Sequence, residues 1–138
     1  MDTDTLNTLV SEAIWRAEQL EDLRIPSSRE WTEVSSLEEE LANALPVSDL
    51  EGRIARRGAV SAALKAGDYT RAQALADSYL CDRDAPESLK AALYEILEED
   101  SEALATGFRY AAKHHSLREA RELARWFRES GAFGLAAA

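Results

Sequence analysis

The chain has 138 residues, one ordinary domain's worth, enough to bury roughly two-thirds of the surface its unfolded form exposes. Hydrophobic residues make up 46%, with only 6 glycines and 3 prolines, which excludes disorder over most of the length and favours helix. The net charge of −10 lies wholly in residues 1–52, where 13 acidic side chains stand against 3 basic ones, while residues 53–138 carry 13 of each.

An acidic first third repels nucleic acid and membrane surfaces and steers a basic partner; its plainest reading is a solvated face. The single cysteine, Cys81, closes no intrachain disulfide and has no histidine near it in sequence. The opening MDTDTLNTLV is acidic where a secretory signal is basic, and no apolar run approaches the roughly 20 residues of a membrane span. A cytoplasmic location is expected.

In chain order, the first predicted helix covers 5–24, with Leu6, Leu9, Val10, Ala13, Ile14, Ala17 and Leu20 on one stripe at three- and four-residue steps, and Pro26 ending it. Trp15 falls nine residues from Leu6, half a turn away from that stripe, among Glu12, Glu18, Gln19 and Asp22. It is either covered by a second neighbour within the chain or an anchor for a partner or a second copy. The next helix opens at SSREWTEV, where Ser27 and Glu30 have capping-box spacing, and carries Trp31, Val34, Leu37, Leu41 and Leu45 up to Pro46. Its run Glu38, Glu39, Glu40 joins Glu12, Trp15, Glu18 and Asp22 as the candidate acidic docking face.

A second box, Ser48 with Glu51, starts a third helix running to Ala66; Gly67 suits a C′ position and Asp68 caps a fourth helix over 69–81. Asp84 is the expected cap before Pro86. Apolar spacing then continues through Leu89, Leu93, Ile96, Leu97, Leu104, Phe108 and Ala111, with a break expected around EEDSE at 98–102. A last helix opens on a third box, Ser116 with Glu119, and ends before Gly131, leaving 131–138 as a flexible tail. Its final Leu-Ala-Ala-Ala resembles the ending of the bacterial degradation tag, although chance in an alanine-rich chain is the simpler account. No stretch alternates as a strand does. The expected fold is all-α: six or seven helices stacked as about three αα-hairpins, in a single domain over 1–130.

The stretch KAGDYTRAQALADSYL, 65–80, bears on how those hairpins repeat. Shifted by 48, Ala63, Lys65, Ala72, Leu75 and Ala76 meet Ala111, Lys113, Ala120, Leu123 and Ala124, and the cap Asp68 meets Ser116. A fainter copy shifted by 38 brings Trp31, Val34, Leu37 and Leu41 onto Tyr69, Ala72, Leu75 and Tyr79. Gly67, Tyr69 and Ala72 match the G-x-Y-x-x-A that opens the second helix of a tetratricopeptide repeat, and the chain here resembles that family. Tyr79 stands where the family has a small residue. The resemblance implies a scaffold or adaptor that holds a peptide or protein in a groove.

Chemistry-bearing patterns are sparse. Arg118, Arg121 and Arg125, which are candidate partner-binding residues, make with Arg128 a basic stripe on the last helix, and Arg53, Arg56 and Arg57 another on the third; helix-dipole and ion-pair roles explain the stripes better than phosphate binding. Neighbouring His114 and His115 point about 100° apart on a helix and do not chelate one metal. EEDSE lacks a calcium loop's glycine. With no nucleophile elbow, phosphate loop or fixed carboxylate dyad, an enzyme, a metal or a cofactor is not expected. The leading expectation is a non-enzymatic protein–protein interaction module, possible as a homo-oligomer, with an acidic N-terminal docking face. The alternative is a small acidic inhibitor, such as an immunity protein or nucleic-acid mimic, that blocks a basic site.

Overall fold

A computed structural model describes the backbone of residues 1–111 and Arg125, with side chains over 1–102 and at Arg125. Every regular element among these is an α-helix, five in all: α1 Thr3–Asp22, α2 Ser28–Ala44, α3 Leu50–Lys65, α4 Tyr69–Leu80 and α5 Glu87–Ala111. Met1–Leu93 forms one compact unit and Tyr94–Ala138 a second. The expected helix after Ser116, its copy of the 65–80 stretch and the 131–138 tail lie outside the described residues, Arg125 excepted, which is helical.

In the first unit α1 packs on α2, α2 on α3 and α3 on α4. One core cluster joins Leu6 of α1 to Leu41 and Ala42 of α2 and Ala55 of α3. A second joins Ala13 and Ala17 to Trp31 and Val34 and to Ala62. The start of α1 therefore meets the end of α2 and the start of α3, and the order is reversed at the other end. Neighbours run antiparallel, as short connections require. Alanines with no exposed surface, at 13, 17, 59, 63, 72 and 76, let these backbones approach closely. Ala72→Leu, which puts a branched side chain into such a contact, is expected to cost about 1–3 kcal/mol, measured as a lower urea midpoint. A neutral result would mean that α4 does not sit close to its neighbour.

Trp31 ties three helices together. Its ring is buried, its indole N–H donates to the Glu21 carboxylate of α1, and Lys65 of α3 covers its face with Nζ 4.3 Å from the ring centre.

The helix ends depart from expectation in instructive ways. Asp2, not Thr5, opens α1: its Oδ1 accepts from the Thr5 N–H at 2.7 Å, and that bond holds its carboxyl below the usual range. α1 ends in a Schellman motif in which Ile25 N–H donates to Leu20 O and Arg24 N–H to Glu21 O. Arg24 takes the left-handed conformation there (φ 58°). The same pair of bonds closes α3, from Asp68 to Ala63 and from Gly67 to Leu64, with Gly67 at φ 79° as its sequence context predicts. Asp68 then accepts from the Arg71 N–H at 3.0 Å, capping α4 as expected.

Neither of the boxes at Ser27 and Ser48 forms. Ser27 is the N-cap of α2 but has ψ 11°, outside the extended region from which a serine reaches the first turn, and its side chain makes no cap bond. α3 starts one residue later than expected, with Asp49 as N-cap. Asp84 is no cap either; its N–H turns back onto Asp82 Oδ1, and Pro86 O accepts the first bonds of α5. α5 runs unbroken through EEDSE, correcting the expected division and leaving five helices among the described residues rather than the six or seven expected. The reason is local: the five residues include neither glycine nor proline, and glutamate is a good helix former.

Candidate protein-binding surface

The inward stripe of α1 is Leu6, Val10, Ala13 and Ala17, all buried. A residue nine positions from Leu6 must then face out, and Trp15 is 62% exposed. Glu12 and Glu18 flank it at three residues on either side, and Asp22 lies one turn further; all three are exposed. Arg16, beside it, pairs with Glu33 of α2 at 3.2 Å. Ser11, Glu12, Trp15 and Arg16 line a surface hollow there. An exposed indole with carboxylates three residues to either side on the same helix offers a large rigid apolar anchor with charged neighbours, a composition suited to an interaction hot spot.

The Glu38–Glu40 run divides. Glu40 is exposed. Glu39 is half-buried and pairs with Arg71 of α4 at 3.3 Å. Glu38, at 8% exposure, turns into the molecule and lies flat against Gly58 of α3, so close that a Cβ there would sit 2.8 Å from the carboxyl carbon. It does not join the exposed face. Removal from water pushes its carboxyl up to about 7.

Around it sits a polar layer between α2, α3 and α4. The fully buried Ser35 donates to Ala59 O at 2.8 Å and accepts from Arg71 Nε at 3.0 Å. Arg56 donates to Gly52 O and Leu45 O and lies 5.8 Å from the centre of the Tyr79 ring. The buried Tyr79 hydroxyl has no hydrogen-bond partner among the described residues, and desolvation raises its pKa. Sequence spacing alone did not point to this layer, although Ser35, Glu38 and Ala42 continue the three-and-four steps of the buried stripe, and Gly58 interrupts an otherwise good helix former.

A third feature was read only as part of a basic stripe. Leu50, Arg53, Ile54 and Arg57 share one face of α3, and with Ser88, Leu89 and Ala92 of α5 they line a groove of about 180 Å³. Leu50 and Ile54 are 64% and 57% exposed. Arg56 points elsewhere, so the stripe is really two arginines on an apolar strip. In the C-terminal stripe, Arg125 is half-buried, while Arg118 and Arg121, together with His114, His115 and Trp126, lie outside the described residues.

No three His, Cys, Asp or Glu side chains gather as metal ligands among the described residues, and no described helix is long and apolar enough to cross a membrane. No protein-family model, curated protein or solved structure matches the chain.

Proposed function

We propose that this protein is a non-enzymatic protein-binding module: helical hairpins, in a tetratricopeptide-like manner, presenting the outer face of α1 to a partner with a basic surface. One observation carries the reading, the indole of Trp15 standing 62% exposed between Glu12 and Glu18 on a helix whose opposite face is buried in the core. Leaving so much aromatic surface in water is unfavourable for a monomer, and association relieves it. The glycine-turned hairpin of α3 and α4, with alanines at the contact, supports the scaffold half of the proposal.

A photoreactive residue in place of the exposed Gln19, one turn from Trp15, tests it in native extract. A discrete protein adduct that disappears in the Trp15→Glu background is the expected result. A chain that forms no adduct, or forms it equally without the tryptophan, would refute the reading.

The second reading, an acidic inhibitor that plugs a basic site, draws on the −10 confined to residues 1–52. The two part on salt. A charge-driven plug weakens steeply as ionic strength shortens the screening length from about 10 Å at 0.1 M to about 3 Å at 1 M. Anchoring through Trp15 does not.

A further inference from the structure

The acidic aromatic face of α1 has a counterpart on the same unit. The groove between α3 and α5 is lined by the apolar Leu50, Ile54, Leu89 and Ala92 together with two guanidinium groups, those of Arg53 and Arg57. Neither Arg53 nor Arg57 forms an ion pair with any described carboxylate. Arg53 reaches the Ser88 hydroxyl through Nη1 at 2.9 Å, and its buried Nε has no acceptor among the described residues. A guanidinium offers five donors in a planar fork suited to a carboxylate, and Arg57 is exposed beside the half-buried Arg53. Exposed aliphatic side chains beside such donors call for an occupant that is apolar at its centre and acidic at its rim.

That description fits α1 of another molecule. Trp15 supplies the apolar centre, and Glu12 and Glu18, three residues to either side, supply carboxylates on the same helix face. Helix-in-groove recognition uses this layout of an anchor with charged flanks. The overall charge of −10 does not forbid contact between copies, because at physiological salt charges more than about 8 Å apart are largely screened while opposed charges in the interface are not. Building on the protein-binding role of the Trp15 face, we infer that its partner is a second copy of this chain, with Trp15 of one copy seated in the Leu50–Ile54 groove of the next and Glu12 and Glu18 meeting Arg53 and Arg57. The two surfaces differ, so the contact is head-to-tail and either closes as a ring or extends as a chain. One anchor in a small groove makes a weak contact, with Kd between about 10 µM and 1 mM.

Sedimentation equilibrium of the full chain at about 150 mM salt, up to about 1 mM protein, is the test. The wild type is expected to show mass rising with concentration. Trp15→Ala, and the double variant Ile54→Glu/Arg57→Glu on two exposed positions, are each expected to stay monomeric, with helical circular dichroism unchanged. Mixing the two variants is the decisive arm: one has an intact groove and the other an intact tryptophan face, so together they form a 1:1 dimer and nothing larger. A symmetric tryptophan-to-tryptophan contact would not be restored by mixing. Wild type that remains monomeric throughout, or a groove variant that associates as the wild type does, overturns the inference. The Gln19 crosslink, repeated on the purified chain at about 1 mM, separates the two claims: an adduct of twice the chain mass that is lost with Trp15→Glu supports self-association, whereas no such adduct there, beside an adduct of another mass in extract, overturns it and keeps the binding role.

Discussion

Gly52→Ala is expected to destabilise the protein by about 3 kcal/mol or more, although alanine in place of glycine inside a helix ordinarily gains about 1 kcal/mol. Gly52 lies buried in the first turn of α3, where the 46–49 turn crosses it. A Cβ at this position would stand 1.9 Å from the Pro46 carbonyl oxygen and 2.9 Å from its carbon. These are backbone atoms, and that carbonyl already accepts from the Asp49 N–H at 3.2 Å, so no side chain can swing aside to make room. Arg56 tightens the same corner by holding Gly52 O and Leu45 O with one guanidinium. The strain must be met by displacing the α2–α3 connection, and with it the packing of Leu41, Ala42 and Ala55. Urea denaturation reads the effect directly. A midpoint equal to or above that of the wild type would show that the connection does not rest on Gly52.

The same residue shows where sequence reading stops. The spans of α1 to α4 to within about two residues, their inward stripes and the outward direction of Trp15 follow from a period of 3.6 and were legible, unlike the continuity of α5; the Gly67–Asp68 turn was legible too, because positive φ and an aspartate cap leave a signature in residue type. What a side chain meets across an interface leaves none. Gly52 and Gly58 read as mild flaws in a helix until Pro46 and the Glu38 carboxyl are found against them. Arg24 in a left-handed conformation has no sequence mark, since the Schellman bonds impose what residue preference resists. The serine boxes failed for a related reason: spacing alone does not set the ψ at which a serine can reach the first turn. Glu38 read as surface because two further glutamates follow it, yet only its neighbours in the sequence reach solvent or a guanidinium. The acidic rim around Trp15 was visible in the sequence; the basic groove that complements it needs α5 folded beside α3.

Glu38 carries the other large expectation. Its carboxyl lies against the Gly58 backbone with no guanidinium or hydroxyl partner among the described residues, and desolvation moves it from an ordinary 4.5 to about 7. The native state therefore keeps this proton up to about pH 7, whereas the unfolded chain releases it near 4.5. Between those values the native state binds more protons, and stability falls as pH rises. The contribution is complete below about 4.5 and gone above about 7. Its size, at 1.36 kcal/mol for each factor of ten in acidity, is about 3 kcal/mol. Glu38→Gln keeps the shape and removes the charge, so it is expected to match the wild type near pH 4.5 and to exceed it by about 2–3 kcal/mol at pH 8. Comparing urea midpoints of the two proteins across pH 4.5–8 cancels the titration of other groups, which both share. Parallel curves would mean that Glu38 is hydrated and charged in the folded state. A converging pair, meeting at the acid end, would establish that one of the three consecutive glutamates of α2 is a neutral element of the core, held between helices that also bury Ser35 and Tyr79.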